Sequence, residues 1–190
     1  MNSPNHLAHA RMRRVLLAAA CLALGLAATA EAGPREQAKR LHDRLAGVPP
    51  TEQVLADMEA DIVAGSPIAA AETAMENSAF YNVTLKNFVT PWTNREQTVF
   101  APLNDYTATV IGMIRDDVPF NTVLSADILY VGDSGLGLPP YSMSDNAHYE
   151  AMEEQGIDLK DALVQTSQSA VTDLPASATA GVVTSRAAAE

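Results

Sequence analysis

One histidine and a set of carboxylates in the C-terminal third of this chain could do chemistry. His148 lies in an acidic stretch with Asp145, Glu150, Glu153 and Glu154. Histidine and carboxylate side chains can together hold a divalent metal, and Glu150 and Glu154 share one helical face at a spacing of four. Because no second histidine stands at ligand spacing, we expect no metal at this stretch.

Four aspartates are candidates for acid-base catalysis or calcium binding: Asp116, Asp117, Asp127 and Asp133. Asp116 and Asp117 are adjacent, so they point to different faces of a helix end, and the spacing lacks the alternating oxygens of a calcium loop. We interpret this pair as a helix terminator, with Arg115 and Asp127 tying neighbouring helices together. The alternative is an uncharacterised exported enzyme with Asp116, Asp117, Asp127 or His148 in its site.

His42 stands next to Leu41 on a predicted helix, beside Asp43 and Arg44. Because its neighbours are charged, a solvated or salt-bridged surface histidine is the simplest interpretation.

Taken together, these histidines and carboxylates lead us to predict no catalytic, cofactor-binding or metal-binding residue, and we expect a non-catalytic protein.

A glycine-rich run, Gly132, Gly135 and Gly137, is followed by prolines. It therefore does not open a helix that could bind phosphate, and we interpret it as a flexible connector. The serines of this stretch are Ser134, Ser142 and Ser144. Their surroundings lack the G-x-S-x-G turn, which argues against a serine hydrolase.

Trp92 is the one tryptophan of the chain and follows Pro91 in a predicted loop. A tryptophan in a loop is either a platform for a ligand or a plug that packs against helices, and we interpret Trp92 as a plug. The alternative is a stand-alone periplasmic module that binds a ligand or partner with Trp92 and the loop at 132–144. That alternative predicts a closed apolar pocket beside Trp92.

The elements that position these residues are predicted to be helices, from apolar spacings of three and four and from caps and glycine or proline stops. The predicted helices start at Pro34, Thr51 and Ser66, run over 78–89 and about 104–115, extend from Asn121 through Leu129, and recur near 149–154 and 159–167. The fold class is therefore all-α, an irregular bundle of about six to eight short helices.

The N-terminal segment has the three parts of a secretory signal peptide. Three arginines precede an apolar run from Val15 to Thr29, which ends in the cleavage site Ala30-Glu31-Ala32. We therefore expect an exported, periplasmic or secreted protein. Lipidation of Cys21 is disfavoured because the apolar run continues past it, and no later segment is long enough to span a bilayer.

The chain divides into four predicted parts. Residues 1–32 are the signal peptide, 33–131 a helical core domain, 132–147 a loop rich in Gly, Pro and Ser, and 148–190 short helices with a small-residue tail. The last residues, Ala187-Ala188-Ala189-Glu190, have a composition typical of a helix interior and no capping residue follows them, which indicates a truncated chain.

Charge and cysteine content narrow the function classes. The chain has 12 Lys and Arg against 23 Asp and Glu, a net charge of −11. Such a surface repels phosphate backbones and anionic lipids, so we expect neither nucleic-acid nor membrane-surface binding. Cys21 is the one cysteine, so after cleavage we expect no disulfide, thiol nucleophile or thiolate metal site.

The run Arg115-Asp116-Asp117-Val118-Pro119-Phe120, followed by Leu124, Ala126-Asp127 and Tyr130, resembles a run in large exported bacterial proteins of planctomycete-type cytochrome families. Gly47-Val48-Pro49-Pro50-Thr51 resembles their opening turn, and 180–186 the lead-in to a later segment. These proteins carry a C-x-x-C-H haem site farther downstream.

This chain lacks the C-x-x-C-H motif, so the resemblance implies the helical region that precedes the haem. Haem would be present only in a missing downstream segment. The expected function is an exported, non-catalytic scaffold or interaction domain, with a periplasmic protein or redox partner.

Overall fold

The computed structural model describes residues 32–173. The predicted signal peptide with Cys21 lies outside these residues, apart from Ala32, and so does the tail beyond 173. From Pro34 onward the described residues belong to one compact unit. Among them, no helix has the length and apolar character needed to cross a membrane.

The described chain is mostly helical, as the spacing of its apolar residues predicts. The helices are α1 Pro34–Leu45, α2 Glu52–Val63, α3 Pro67–Met75, α4 Lys86–Val89, α5 Asp105–Arg115, α6 Ala147–Glu154, α7 Leu159–Ala162 and α8 Gln168–Val171. A π-helical segment, Phe80–Leu85, runs directly into α4, and 3₁₀ turns cover Thr90–Trp92, Phe120–Thr122 and Ser134–Leu136. Two strands, β1 Leu129–Gly132 and β2 Leu163–Thr166, form an antiparallel pair.

The prediction that the fold is purely α-helical is wrong at these two strands. The helix predicted from Asn121 to Leu129 is instead a 3₁₀ turn followed by the start of β1, and the helix predicted near 159–167 stops at Ala162 before β2. Leu129, Tyr130 and Val131 include aromatic and β-branched residues, which favour strands. Short apolar runs fit either structure, and pairing with a distant segment decides between them.

Helices α1, α2 and α3 pack on one another around a small core. Its buried residues are Ala38, Leu55, Met58, Ala70 and Ala74. The predicted cap is confirmed, because the Thr51 hydroxyl accepts a hydrogen bond from the Val54 amide at 3.3 Å and so satisfies a free N–H at the start of α2. Pro67 occupies the first position of α3, where its missing N–H costs nothing.

Helix α5 runs through the larger core, where Val110, Ile111 and Met113 are fully buried. A Cβ at Gly112 would stand 2.2 Å from the ring of Tyr130, so only glycine lets this ring from β1 lie directly on the helix. The Tyr130 amide also donates to the Thr109 hydroxyl at 3.1 Å. These contacts fix α5 against β1, and the two ends of α5 carry the side chains of interest.

Candidate functional site

An apolar cleft of about 420 Å³ opens at the C-terminal end of α5. Its lining residues are Phe88, Trp92, Met113, Ile114, Asp117, Val118, Pro119 and Phe120. The first two come from α4 and the 3₁₀ turn that follows it, and the others from the last turn of α5 and the segment after it. We call this feature the aromatic cleft.

Three aromatic rings of the aromatic cleft face solvent to an unusual degree. Phe88 is 58% exposed, Trp92 52% and Phe120 46%. The rings of Phe88 and Trp92 meet edge to face, with centroids 4.9 Å apart. Trp92 therefore packs against Phe88 of α4 but is not a fully packed plug, and the space beside it is an open cleft rather than the closed apolar pocket that the binding alternative predicts.

The helical period explains why Phe88 and Trp92 meet, since residues four apart lie on one face. Hydrogen bonds fix the turn between them. The Thr90 hydroxyl donates to the Lys86 carbonyl at 2.7 Å, and the Thr93 hydroxyl donates to the Thr90 carbonyl at 2.8 Å. Trp92 is thus held on a short helical extension of α4 rather than in the predicted loop.

The end of α5 forms the opposite wall of the aromatic cleft. The Val118 amide donates to the Met113 carbonyl at 2.9 Å, and the Asp117 amide to the Ile114 carbonyl at 3.4 Å. These two bonds define a Schellman motif, in which the residue after the C-cap adopts a left-handed conformation. That residue is Asp117, with φ of 52°. The motif brings Val118 beside Met113 and leaves the exposed Asp117 side chain among the lining residues.

The neighbouring carboxylate has a structural role. Asp116 accepts two hydrogen bonds from Arg115, at 2.7 and 2.8 Å, and one from the Tyr130 hydroxyl at 2.8 Å. The Arg115 guanidinium holds the pKa of Asp116 below its usual value. Arg115 also donates to the carbonyls of Lys160 and Leu163, at 2.9 and 2.8 Å. The interpretation of this segment as a helix end tied to its neighbours is confirmed.

The remaining candidate aspartates also make local bonds. Asp127 accepts hydrogen bonds from the amide and hydroxyl of Ser169, at 3.0 and 2.5 Å, which ties the chain before β1 to α8. Asp133 accepts from the Gly135 amide at 2.7 Å and stabilises a 3₁₀ turn. Asp116, Asp127 and Asp133 thus each bond to a different part of the chain.

A second group of polar residues surrounds the N-terminal end of α5. Asp105 is fully buried, and its carboxylate accepts from the Tyr106 amide at 2.8 Å and from the Tyr141 hydroxyl at 3.5 Å. Tyr149 is also buried and donates to the Tyr130 carbonyl at 2.9 Å. Burial first, and then the charge of Asp105, raises the pKa of both Tyr141 and Tyr149.

His148 completes this polar cluster, which we define as Asp105, Tyr141, His148 and Tyr149. The ring of His148 meets that of Tyr149 edge to face at 5.0 Å. Its Nε2 accepts from the Gly132 amide at 2.9 Å, and its Nδ1 lies 2.6 Å from the Pro139 carbonyl, to which it can donate. One neutral tautomer satisfies both contacts, so neither nitrogen is free to bind a metal.

The acidic neighbours of His148 point elsewhere. Glu153 pairs with Lys86 and accepts a hydrogen bond from the Leu103 amide at 2.8 Å, and Asp145 accepts from the Ala147 amide at 3.1 Å. Within residues 32–173, no group of three or more His, Cys, Asp or Glu side chains is arranged to hold a metal ion.

Two further predictions need correction. His42 is 1% exposed rather than a surface residue, and its Nδ1 lies 2.8 Å from the Val48 carbonyl, because it shares the inward face of α1 with Ala38. Gly132 belongs to β1 rather than to a flexible connector. A Cβ there would stand 2.4 Å from the side chain of Leu138, so a larger residue would have to displace that leucine.

Sequence reasoning missed the buried carboxylate of Asp105 and the left-handed conformation of Asp117. The pair Asn104-Asp105 at a helix start gave a partial signal. Asn104 caps α5 by accepting from the Thr107 amide at 3.0 Å, and the next residue, Asp105, is fully buried. Asp117 follows a predicted helix end that has no glycine, and aspartate is one of the few residues with a side chain that tolerate the left-handed region.

The loop at 132–144 does not join Trp92 in the aromatic cleft. Residues of this loop, among them Gly132, Leu138, Pro139, Pro140 and Tyr141, instead line a separate cavity that also includes His148. Comparison with protein-family models, with curated proteins and with solved structures finds no match to this chain. The geometry of the described residues is therefore the basis for a functional proposal.

Proposed function

We propose that this chain is a non-catalytic binding domain that holds a small, largely apolar ligand in the aromatic cleft. The observation that carries the proposal is the grouping of three half-exposed aromatic rings around one concave surface. A ligand that covers these rings removes apolar area from water, which contributes about 25 cal/mol per Å² before the cost of association. The volume of about 420 Å³ lies within the range of small-molecule sites.

The side chains that line the aromatic cleft support binding rather than catalysis. In the described part of the chain, Asp117 is the one titratable residue among them. Acyl transfer and acid-base chemistry need a positioned nucleophile or a pair of proton-transfer groups. The residue types that could supply these, such as His148 and Asp116, make hydrogen bonds that stabilise the fold.

Export from the cytoplasm and the resemblance to the region before the haem of cytochrome-like proteins stay predictions. The aromatic cleft supports a ligand-binding role whether or not a haem segment follows.

The test uses Trp92 as its own reporter, because the chain has one tryptophan. We expect phenethyl alcohol, a small neutral aromatic probe, to change the fluorescence of the purified protein in a saturable manner. Phe120→Ala removes one ring of the cleft and should weaken binding by about tenfold. Calorimetric titration provides a second measurement that does not depend on the environment of Trp92.

Phe100→Ala is the matched control, because Phe100 is 90% exposed and is not a lining residue. This variant should bind phenethyl alcohol as the wild type does. The proposal is wrong if no saturable binding is measured, or if the two variants lose the same affinity.

A further inference from the structure

We propose that the ligand of the aromatic cleft is a small organic cation whose charged group pairs with Asp117 while its apolar body lies against the rings of Trp92, Phe88 and Phe120. This inference depends on the proposed function and adds the chemical class of the ligand. It combines three independent features: the position of a single carboxylate, the backbone conformation that carries it, and the electrostatics of aromatic rings.

The first feature is the position of the charge. Asp117 is the one charged residue that lines the aromatic cleft in the described chain, and its side chain is exposed. Within residues 32–173, no hydrogen bond or ion pair joins this carboxylate to another side chain. Asp116 differs in this respect, because Arg115 and Tyr130 occupy its oxygens. The carboxylate of Asp117 is therefore available to a ligand.

The second feature is a comparison of helix ends. Helices α2 and α6 end in the same Schellman motif as α5, with bonds from the Ser66 amide to the Asp61 carbonyl at 2.8 Å and from the Ile157 amide to the Met152 carbonyl at 3.0 Å. The left-handed position of these two motifs is glycine, at Gly65 and Gly156.

The equivalent position of α5 is occupied by Asp117. An aspartate there destabilises the helix end for two reasons. A residue with a Cβ is strained in the left-handed region, although aspartate tolerates it better than most. A negative charge at a helix C-terminus also faces the negative end of the helix dipole. Glycine would avoid both costs, as it does in α2 and α6. The carboxylate at this position lines the aromatic cleft, where it can contribute to binding at a cost to the stability of the helix end.

The third feature is the chemistry of the rings. The face of an aromatic ring carries partial negative charge and attracts an ammonium or guanidinium group within about 6 Å. Three rings and one carboxylate thus favour a cation over a neutral or anionic ligand. The net charge of −11 adds a field that attracts cations to the protein as a whole.

The test compares three probes that share one aromatic ring and differ in charge: phenethylamine, phenethyl alcohol and phenylacetate. We expect phenethylamine to bind about five- to tenfold more tightly than phenethyl alcohol, and phenylacetate to bind most weakly. Added salt should reduce the difference in affinity between phenethylamine and phenethyl alcohol, because it screens the exposed ion pair between the amine and Asp117.

Asp117→Asn keeps the size of the side chain and tolerates the left-handed conformation while removing the charge. We expect this variant to lose most of the preference for phenethylamine, keeping only the part that the ring faces and the net charge supply, and to bind the alcohol as tightly as the wild type does. Glu96→Gln is the control for net charge, because Glu96 is exposed and does not line the cleft. It should keep the preference for the amine.

The outcomes separate this inference from the proposed function. If the alcohol binds the wild type and the amine binds no better, the inference is wrong and the proposed function stands. If neither probe binds, both are wrong. If Glu96→Gln loses the preference as fully as Asp117→Asn does, the general field of the protein explains it and the assignment of Asp117 is wrong.

Discussion

The two ends of α5 contain similar residue types in opposite environments. At the N-terminal end, the polar cluster buries Asp105, Tyr149 and His148, and each makes hydrogen bonds to neighbouring backbone. At the C-terminal end, Trp92 and Asp117 face solvent beside an apolar concave surface. The comparison shows that the capacity of a side chain to bind a ligand depends on whether it is exposed to solvent and whether its hydrogen-bonding atoms are still without partners.

Energetics accounts for the difference. A buried polar group without a partner costs about 1–3 kcal/mol, so the polar cluster is stable only if its members are paired. An exposed aromatic ring costs the fold little and leaves apolar area available for association. The N-terminal end of α5 therefore contributes to stability, whereas the C-terminal end has the properties of a binding surface.

Among the variants that test this difference between the two ends of α5, His148→Leu is expected to have the largest effect on stability. Leucine is similar in size but bonds neither the Gly132 amide nor the Pro139 carbonyl, and both groups lose their partner. We expect the free energy of unfolding to fall by about 3 kcal/mol, measured by urea denaturation. Binding of phenethyl alcohol by the remaining folded protein should not change.

His42→Leu is the control for the loss of a buried histidine. One hydrogen bond, from the ring to the Val48 carbonyl, is at stake there, so a smaller loss of about 1–2 kcal/mol is expected. If His148→Leu were as stable as the wild type and His42→Leu were not, the role assigned to the polar cluster would be wrong.

The helices show how much of the fold the sequence alone predicts. The periodicity and caps of α1, α2 and α3 are local signals, and the capping threonine Thr51 does bond the amide three residues on. Strand β1 depends on pairing with β2, in whose register Tyr130 lies opposite Gln165, 35 residues later. No local pattern encodes such a partner.

In the candidate site, too, local sequence signals identify some features, whereas others depend on contacts between distant parts of the chain. Trp92 was identified from its type and its place beside a proline, but its exposure depends on how α4 packs beside the end of α5. The burial of His42 depends on a turn that brings the Val48 carbonyl over the ring. Residue type identified the candidates in both places, and only tertiary packing decided which of them stayed accessible.

A smaller effect is expected from Asp116→Asn, which tests whether the adjacent carboxylate is structural. The bond from Arg115, and then that from Tyr130, lowers the pKa of Asp116 in the folded protein. Its ionised form therefore stabilises the fold above its unfolded pKa of about 4, and this contribution is lost as pH falls through the lowered value.

We expect Asp116→Asn to unfold about 1 kcal/mol more easily than the wild type at neutral pH, a modest value because solvent screens this partly exposed pair. The difference should shrink as pH falls below about 4, because the unfolded-state carboxyl is protonated there and the folded-state carboxyl only at its lowered pKa. Urea denaturation at several pH values measures it. A difference that stays constant with pH would contradict the role of the charge.

The smallest change in stability is expected from exchanging glycine and aspartate at the ends of α2 and α5, with opposite signs at the two ends. Gly65→Asp places an aspartate in the Schellman motif of α2, where a Cβ meets no atom within 4 Å, so any cost comes from the backbone and the helix dipole. We expect it to lower the free energy of unfolding by about 0.5–1 kcal/mol. Asp117→Gly should raise that free energy by a similar amount at the end of α5.

The pair measures the cost of aspartate at a left-handed helix end and relates it to binding. Asp117→Gly should be more stable yet lose most of the preference for phenethylamine, which is the pattern expected where stability is traded for function. Thermal unfolding and the probe titrations give both values from the same protein. If Asp117→Gly were less stable than the wild type, the Asp117 side chain would be supporting the fold, and the two ends of α5 would no longer differ in the way described.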